Sequence, residues 1–173
     1  FCLSRGLGDV YKRQVMAGAD LLLAFPALLL AIVFTAVFGA STWVVIAAVG
    51  IAGIPGFVRV ARVGTMQIMH QDYILAARMS GVPAWRIAAR HVLPNIGPII
   101  TVQISTALAL AILAEAGLSF LGMGTPAPYA SWGRMLQASQ PYLATSPHLA
   151  LWPGCAIALT VLGFNLIGDR SAS

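Results

Sequence analysis

Charged residues are scarce in this sequence. Lysine, arginine, aspartate and glutamate make up 9% of the 173 residues, whereas 59% are hydrophobic, and the mean hydropathy is +0.86. Soluble domains carry about 25% charged residues, so this chain has too few charges to cover a soluble surface. The composition excludes a soluble globular protein and predicts an all-α, polytopic membrane protein built as a transmembrane helix bundle.

Residues that would support enzymatic or metal chemistry are also few. Cys2 stands at the N-terminus and Cys155 lies in an apolar run, so no disulfide framework is predicted. The sequence has no His-Glu-x-x-His or Cys-x-x-Cys pattern, and His70, His91 and His148 are isolated. It also lacks the Gly-x-x-x-x-Gly-Lys loop that holds nucleotide phosphates. We therefore expect no catalytic residues, no metal site and no cofactor bound by this chain.

Four apolar runs are the dominant feature that is present. They cover residues 16–39, 42–61, 96–121 and 149–167. A transmembrane helix needs about 20 apolar residues, so each run is a candidate span. The sequence therefore predicts about four spans.

Basic residues are concentrated in the stretch 59–95, from the end of the second run to the start of the third. This stretch contains Arg59, Arg62, Arg78, Arg86 and Arg90. The other long loop, 122–147, contains Arg134 alone. By the positive-inside rule, loop 63–95 is predicted to be cytoplasmic and loop 122–147 to be outside. Basic residues placed in this way indicate membrane topology and not a nucleic-acid surface.

Residues 72–94 have the pattern of two short helices. Asp72 is a suitable N-cap for the first, and Gly81 suits the left-handed residue that ends it. Pro83 stands where a second helix can begin, because the first turn of a helix needs no N–H there. Pro94 is expected to close the second helix or to open the next one.

This stretch resembles the cytoplasmic loop of ABC-importer permeases. The family's loop has a recurring pattern: Glu-Ala-Ala, then three residues, then Gly, then nine residues, then Ile-x-Leu-Pro. The residues with matching spacing here are Ala76, Ala77, Gly81, Leu93 and Pro94. Leu75 stands at the glutamate position and His91 at the isoleucine position, as in the peptide branch of the family. The resemblance implies that these residues, with Asp72, form a coupling helix that docks on an ATPase subunit.

Further similarity lies outside this loop. Segments 118–124, 131–133 and 162–169 resemble the dipeptide, oligopeptide and nickel branch of these permeases. The resemblance implies a type I ABC-importer permease fold in the bacterial or archaeal inner membrane. It also implies a second permease subunit, ATPase subunits that hydrolyse ATP, and an extracytoplasmic substrate-binding protein, with the lipid bilayer as surroundings.

The N-terminal residues have a different character. Residues 4–14 resemble the conceptual translation of a sequencing adapter. We therefore expect residues 1–14 to be a non-native leader. Residues 15–173 would then be part of a permease domain whose earlier helices precede residue 16.

Two acidic residues lie in the apolar runs. Glu115 should face protein or water, because a carboxylate costs a few kcal/mol at the centre of a bilayer. Asp20 is either a residue of the transport pathway or an interfacial charge or helix cap. Both are candidate pathway residues.

The leading hypothesis is a permease subunit that moves dipeptides or oligopeptides. A permease for nickel or another small solute, a membrane interaction protein without transport activity, and an ion-driven transporter are the alternatives. The last would need paired ionisable groups near the midplane.

Overall fold

A computed structural model describes residues 27–172, with side-chain surroundings for 28–170. Helices joined by short connections form this part of the chain. In order they are α1 (Ala27–Phe38), α2 (Thr42–Met69), α3 (Asp72–Met79), α4 (Ala84–Ile87), a π-helical segment (Ala88–Val92), α5 (Leu93–Phe120), α6 (Trp132–Ser139), a 3₁₀ turn (Gln140–Tyr142) and α7 (His148–Ala172). The described residues include no β-strand.

Three helical segments are long and apolar enough to cross a bilayer. They are Thr42–Met69, Ala84–Phe120 and His148–Arg170. Helix α1 belongs to the first predicted run, 16–39, of which residues 16–26 lie outside the described part together with Asp20 and the predicted leader. The prediction of an all-α, multi-pass membrane protein is confirmed.

The long helices extend beyond the apolar runs. Helix α2 continues from the predicted end of its run at residue 61 to Met69, and the third span begins at Ala84 instead of 96. Arginine is a good helix former, so a helix does not have to end where its apolar stretch ends. The predicted loop 63–95 is consequently helical over most of its length.

The described residues separate into two compact units. The first contains residues 27–55 and 113–157, and the second contains 56–112 and 158–172. In the first unit, α1, α2 and α5 pack around Ala31, Val45, Ala48 and Leu118. Alanines at this contact allow helix backbones to approach closely.

Glycines allow similar close approach in the second unit. A Cβ on Gly64 would lie 3.1 Å from Ile96 Cγ2, and one on Gly168 would lie 2.9 Å from Ser105 Cβ. A Cβ on Gly56 would lie 3.0 Å from Gln103 Nε2. Small residues at these positions therefore let the helices of this unit pack against one another.

Helix α6 of the first unit provides a test of this packing. A Cβ on Gly133 would collide with the carbonyl oxygen of Ala116 and lie 2.8 Å from Ser119 Cβ. We expect Gly133→Ala to lower the free energy of unfolding by about 1–3 kcal/mol, because these backbone atoms cannot move aside cheaply. Thermal unfolding of the purified protein in detergent measures the change.

Gly163→Ala is the matched control. Gly163 lies inside α7, and a Cβ there meets no described atom within 4 Å. Its unfolding temperature should equal that of the wild type or exceed it slightly, since alanine favours a helix over glycine. Equal unfolding temperatures for the two variants would contradict the close packing of α6 on α5.

Candidate functional sites

Helix α3 is the first part of the predicted coupling helix. Its N-cap is Gln71, with φ −75° and ψ 144° and no side-chain hydrogen bond at the cap. The amides of Ile74 and Leu75 donate to the Gln71 carbonyl at 3.0 and 3.3 Å. The prediction that Asp72 is the N-cap is therefore wrong by one position. Asp72 is the first helical residue, where its negative charge still favours the helix N-terminus.

Gly81 ends α3 as predicted. Its φ is +75°, in the left-handed region that glycine adopts without a steric penalty. The Val82 amide donates to the Ala77 carbonyl at 3.1 Å, and the Gly81 amide donates to the Arg78 carbonyl at 3.0 Å. This pair of bonds is a Schellman motif, which satisfies carbonyls that the helix end would leave unpaired. The end of α3 is therefore well defined.

The second short helix is the first turn of a much longer one. Pro83 is its N-cap, and the Arg86 amide donates to the Pro83 carbonyl at 3.0 Å. The chain then stays helical from Ala84 to Phe120. Pro94 does not divide this helix. It follows the π-helical segment, in which the helical turn is wider. The side-chain amide of Asn95 donates to the His91 carbonyl at 2.6 Å.

An apolar cluster attaches α3 to this long helix. Its buried members are Ile74, Ile87, Val92 and Ile96, and Ile74 is fully inaccessible. Sequence reasoning missed Ile74, although Ile74 and Ala77 have the i, i+3 spacing of one helix face. The cluster fixes the position of α3 without using any residue of the resemblance motif except Ala77 at its edge.

A polar contact supplements the cluster. The Asn95 side-chain amide reaches the Tyr73 hydroxyl at 3.4 Å, and the rings of Tyr73 and His91 are 6.0 Å apart. The His91 side chain of the long helix therefore lies beside Tyr73 of α3. The sequence placed His91 in the motif but gave no signal for its contact with Tyr73, which is 18 positions earlier in the chain.

The predicted coupling residues lie together on this element of the second unit. Ala77 and His91 are half-buried, and the exposed ones are Asp72, Leu75, Ala76, Gly81, Leu93 and Pro94. Large apolar side chains share the exposed surface: Met79 is 90% exposed and Trp85 is 68% exposed. We call residues 72–94 the coupling element, after their predicted role. It is internally packed, and its exposed surface combines these apolar side chains with charged ones, Asp72, Arg78 and Arg86.

Glu115 lies in the other unit, on α5. Its Oε1 accepts hydrogen bonds from Ser119 Oγ at 2.6 Å and from Thr125 Oγ1 at 3.1 Å. Ser119 Oγ also accepts from the Thr125 amide at 3.1 Å. These bonds attach the chain after Gly122 to the end of α5. The expectation that Glu115 faces protein or water agrees with them, and its role in a pathway stays a prediction.

Glu115 also borders a cavity of about 890 Å³. The cavity extends to Ser41 and Thr42 at the start of α2 and to Trp132 in the first turn of α6. Helix α6 begins after Ser131, whose hydroxyl caps it by accepting from the Arg134 amide at 3.2 Å. The described residues contain no group of three or more His, Cys, Asp or Glu side chains that could hold a metal ion.

Comparison with known proteins identifies relatives over most of the chain. It is 41% identical over 157 residues to the glutathione transport system permease protein GsiD of Pectobacterium atrosepticum, covering 91% of this chain and 52% of that protein. It is 43% identical over 159 residues to a putative peptide transport system permease protein of Brucella suis, covering 92% and 54%. It is 42% identical over 151 residues to the dipeptide transport system permease protein DppC of Alkalihalophilus pseudofirmus, covering 87% and 49%.

The chain thus spans about half the length of the curated relatives it matches. Residues 2–173 match the family described as binding-protein-dependent transport system inner membrane component. The match includes residues 2–14, and the non-native origin of that leader stays a prediction. Multi-pass helical structure and this match lead to one conclusion: the chain belongs to the family of binding-protein-dependent transport system inner membrane components.

Proposed function

We propose that this chain is the permease subunit of an ATP-driven importer that moves dipeptides or oligopeptides across the inner membrane of a bacterium or archaeon. The chain itself is not an enzyme. Separate ATPase subunits hydrolyse ATP, a second permease subunit completes the membrane pathway, and an extracytoplasmic binding protein delivers the peptide.

The observation that carries this proposal is the construction of the coupling element. Ile74 is fully buried against the long helix, and the Schellman motif at Gly81 fixes the end of α3. Leu75 and Met79 meanwhile remain exposed on the outer side. A well-packed element with exposed apolar side chains can transmit the movement of a docked subunit, provided that its contacts differ between two states of that subunit.

The names of the relatives support the substrate class. They are named for the transport of peptides, dipeptides and glutathione, which is itself a tripeptide. Glutathione is therefore the second candidate substrate. Nickel and other small solutes are less favoured, because these relatives are named for peptides and not for metals.

Uptake by the assembled transporter tests the function. Proteoliposomes that contain this permease, its partner subunits and the binding protein should accumulate a radiolabelled dipeptide only when ATP is present on the ATPase side. Unlabelled oligopeptides should compete with the label. Competition by glutathione alone would select the second candidate, and competition by Ni²⁺ alone would contradict a peptide importer. Uptake driven by an ion gradient without ATP would contradict the importer altogether.

Gly81 tests the coupling role. A side chain at this position meets no described atom within 4 Å, so it would point into open space. We expect Gly81→Asp to abolish uptake while membrane insertion stays normal. If the ATPase covers this surface, the aspartate becomes a buried unpaired charge, and such charges cost several kcal/mol.

Gly81→Asn is the matched control, since asparagine has the same shape without the charge. Asparagine also tolerates positive φ better than most residues. This variant should retain most of the ATP-dependent uptake. If aspartate and asparagine reduce uptake equally at matched expression, the strain at positive φ and not the docking surface explains the loss. Normal uptake by Gly81→Asp would contradict the coupling role.

A further inference from the structure

The cavity beside Glu115 combines groups that suit one class of ligand. Its volume, about 890 Å³, lies within the range of small-ligand sites, about 300–1,000 Å³. Three aromatic side chains line it: Trp43, Tyr129 and Trp132. Among the described residues that line it, Glu115 is the single acidic one. An anionic group surrounded by aromatic rings is an arrangement that favours a cation.

The hydrogen bonds of Glu115 leave half of its carboxylate available. Ser119 and Thr125 both donate to Oε1. Within the described part of the chain, neither a hydrogen bond to Oε2 nor an ion pair to this carboxylate is present. The two hydroxyls therefore orient the carboxylate without neutralising it. An ionised group in a membrane-length helix is costly unless a partner of opposite charge compensates for it.

The nearby arginine does not provide that compensation. Arg134 lies on α6, but its Nη1 donates to the Tyr129 carbonyl at 3.2 Å, and Arg134 is not among the residues that line the cavity. This bond places a positive charge on the backbone next to Tyr129 instead of on Glu115. The cavity thus contains a carboxylate that pairs with no cation among the described residues.

The aromatic side chains add a second attraction for a cation. Tyr129 is 66% exposed and Trp43 is 79% exposed, so their ring faces are accessible. An ammonium group over such a ring gains about 0.5–1 kcal/mol at an exposed site. The hydroxyl groups of Ser41 and Thr42 on the same cavity can bond the amide groups of a peptide.

We propose that this cavity binds the N-terminal ammonium group of a short peptide, with Glu115 as its ionic partner and Tyr129 as an aromatic contact. This inference rests on the proposed function for its substrate class. The predicted topology supports it, because the loop 122–147 that forms one side of the cavity is predicted to be outside, where the peptide arrives. A peptide with a blocked N-terminus carries no charge there and loses both attractions.

Direct binding tests this site without requiring transport. The purified permease, with the subunits that remain bound to it in detergent, is titrated by calorimetry with trialanine and with N-acetyl-trialanine. The wild type should bind trialanine about tenfold more tightly, as expected for loss of one charge-assisted hydrogen bond. Equal affinities for the two peptides, or no binding of trialanine, would overturn the proposal.

Variants assign the preference to this cavity. Glu115→Gln keeps an oxygen that can accept from Ser119 and Thr125 but removes the charge, so its preference for trialanine should fall to about two- to fivefold, the value that the Tyr129 contact alone supplies. Asp169→Asn is the matched control, because it removes an exposed carboxylate in the second unit and should leave the tenfold preference unchanged. An unchanged tenfold preference in Glu115→Gln would overturn the assignment.

A third variant keeps the test valid if Glu115→Gln does not fold. Tyr129→Leu retains the carboxylate and should reduce the preference by about two- to fivefold, the value of one cation–π contact. An unchanged preference in Tyr129→Leu would remove the aromatic contact from the proposal. Normal peptide binding together with absent ATP-dependent uptake would instead contradict the proposed function, so the two failures are distinguishable.

Discussion

Backbone groups inside a bilayer have no water to bond, and this constraint governs the rest of the structure. The chain satisfies them within long helices, which are the elements that can cross a membrane with all of their backbone bonds internal. Because lipid is as apolar as the side chains, the helices gain little from burying leucine against leucine. Close contacts therefore occur at small residues, such as Ala31 with Ala48 in one unit and Gly64 beside Ile96 in the other.

The two candidate sites follow from exceptions to this constraint. The coupling element includes the segment in which the chain leaves the long helices, and an apolar cluster around Ile74 packs this segment against them. Glu115 is a carboxylate within a membrane-length helix, and the hydroxyls of Ser119 and Thr125 hold it in place. In each case a few side-chain contacts fix the position of a group that the backbone hydrogen bonds of a regular helix do not fix.

Sequence reasoning succeeded where the signal is local. Gly81 ends α3 as predicted, because the left-handed residue at a helix end depends only on its neighbours in the chain. It failed at the C-terminal end of α2 and at the N-terminal start of the third span. Hydropathy reports where apolar residues stop and not where helical hydrogen bonding stops. Asp72 was misplaced by one residue because the cap depends on the backbone angles of Gln71. The contact of Glu115 with Thr125 depends on the path of the loop after Gly122, which composition does not encode.

The positive φ of Gly81 has a consequence for chemical mimicry of this surface. D-amino acids favour positive φ for the same steric reason that L-residues avoid it. A synthetic peptide of residues 71–83 with D-alanine at position 81 would have fewer unfolded conformations to lose than the glycine version. A D-residue at position 81 would thus help a short synthetic peptide to present the exposed face of α3 without a membrane.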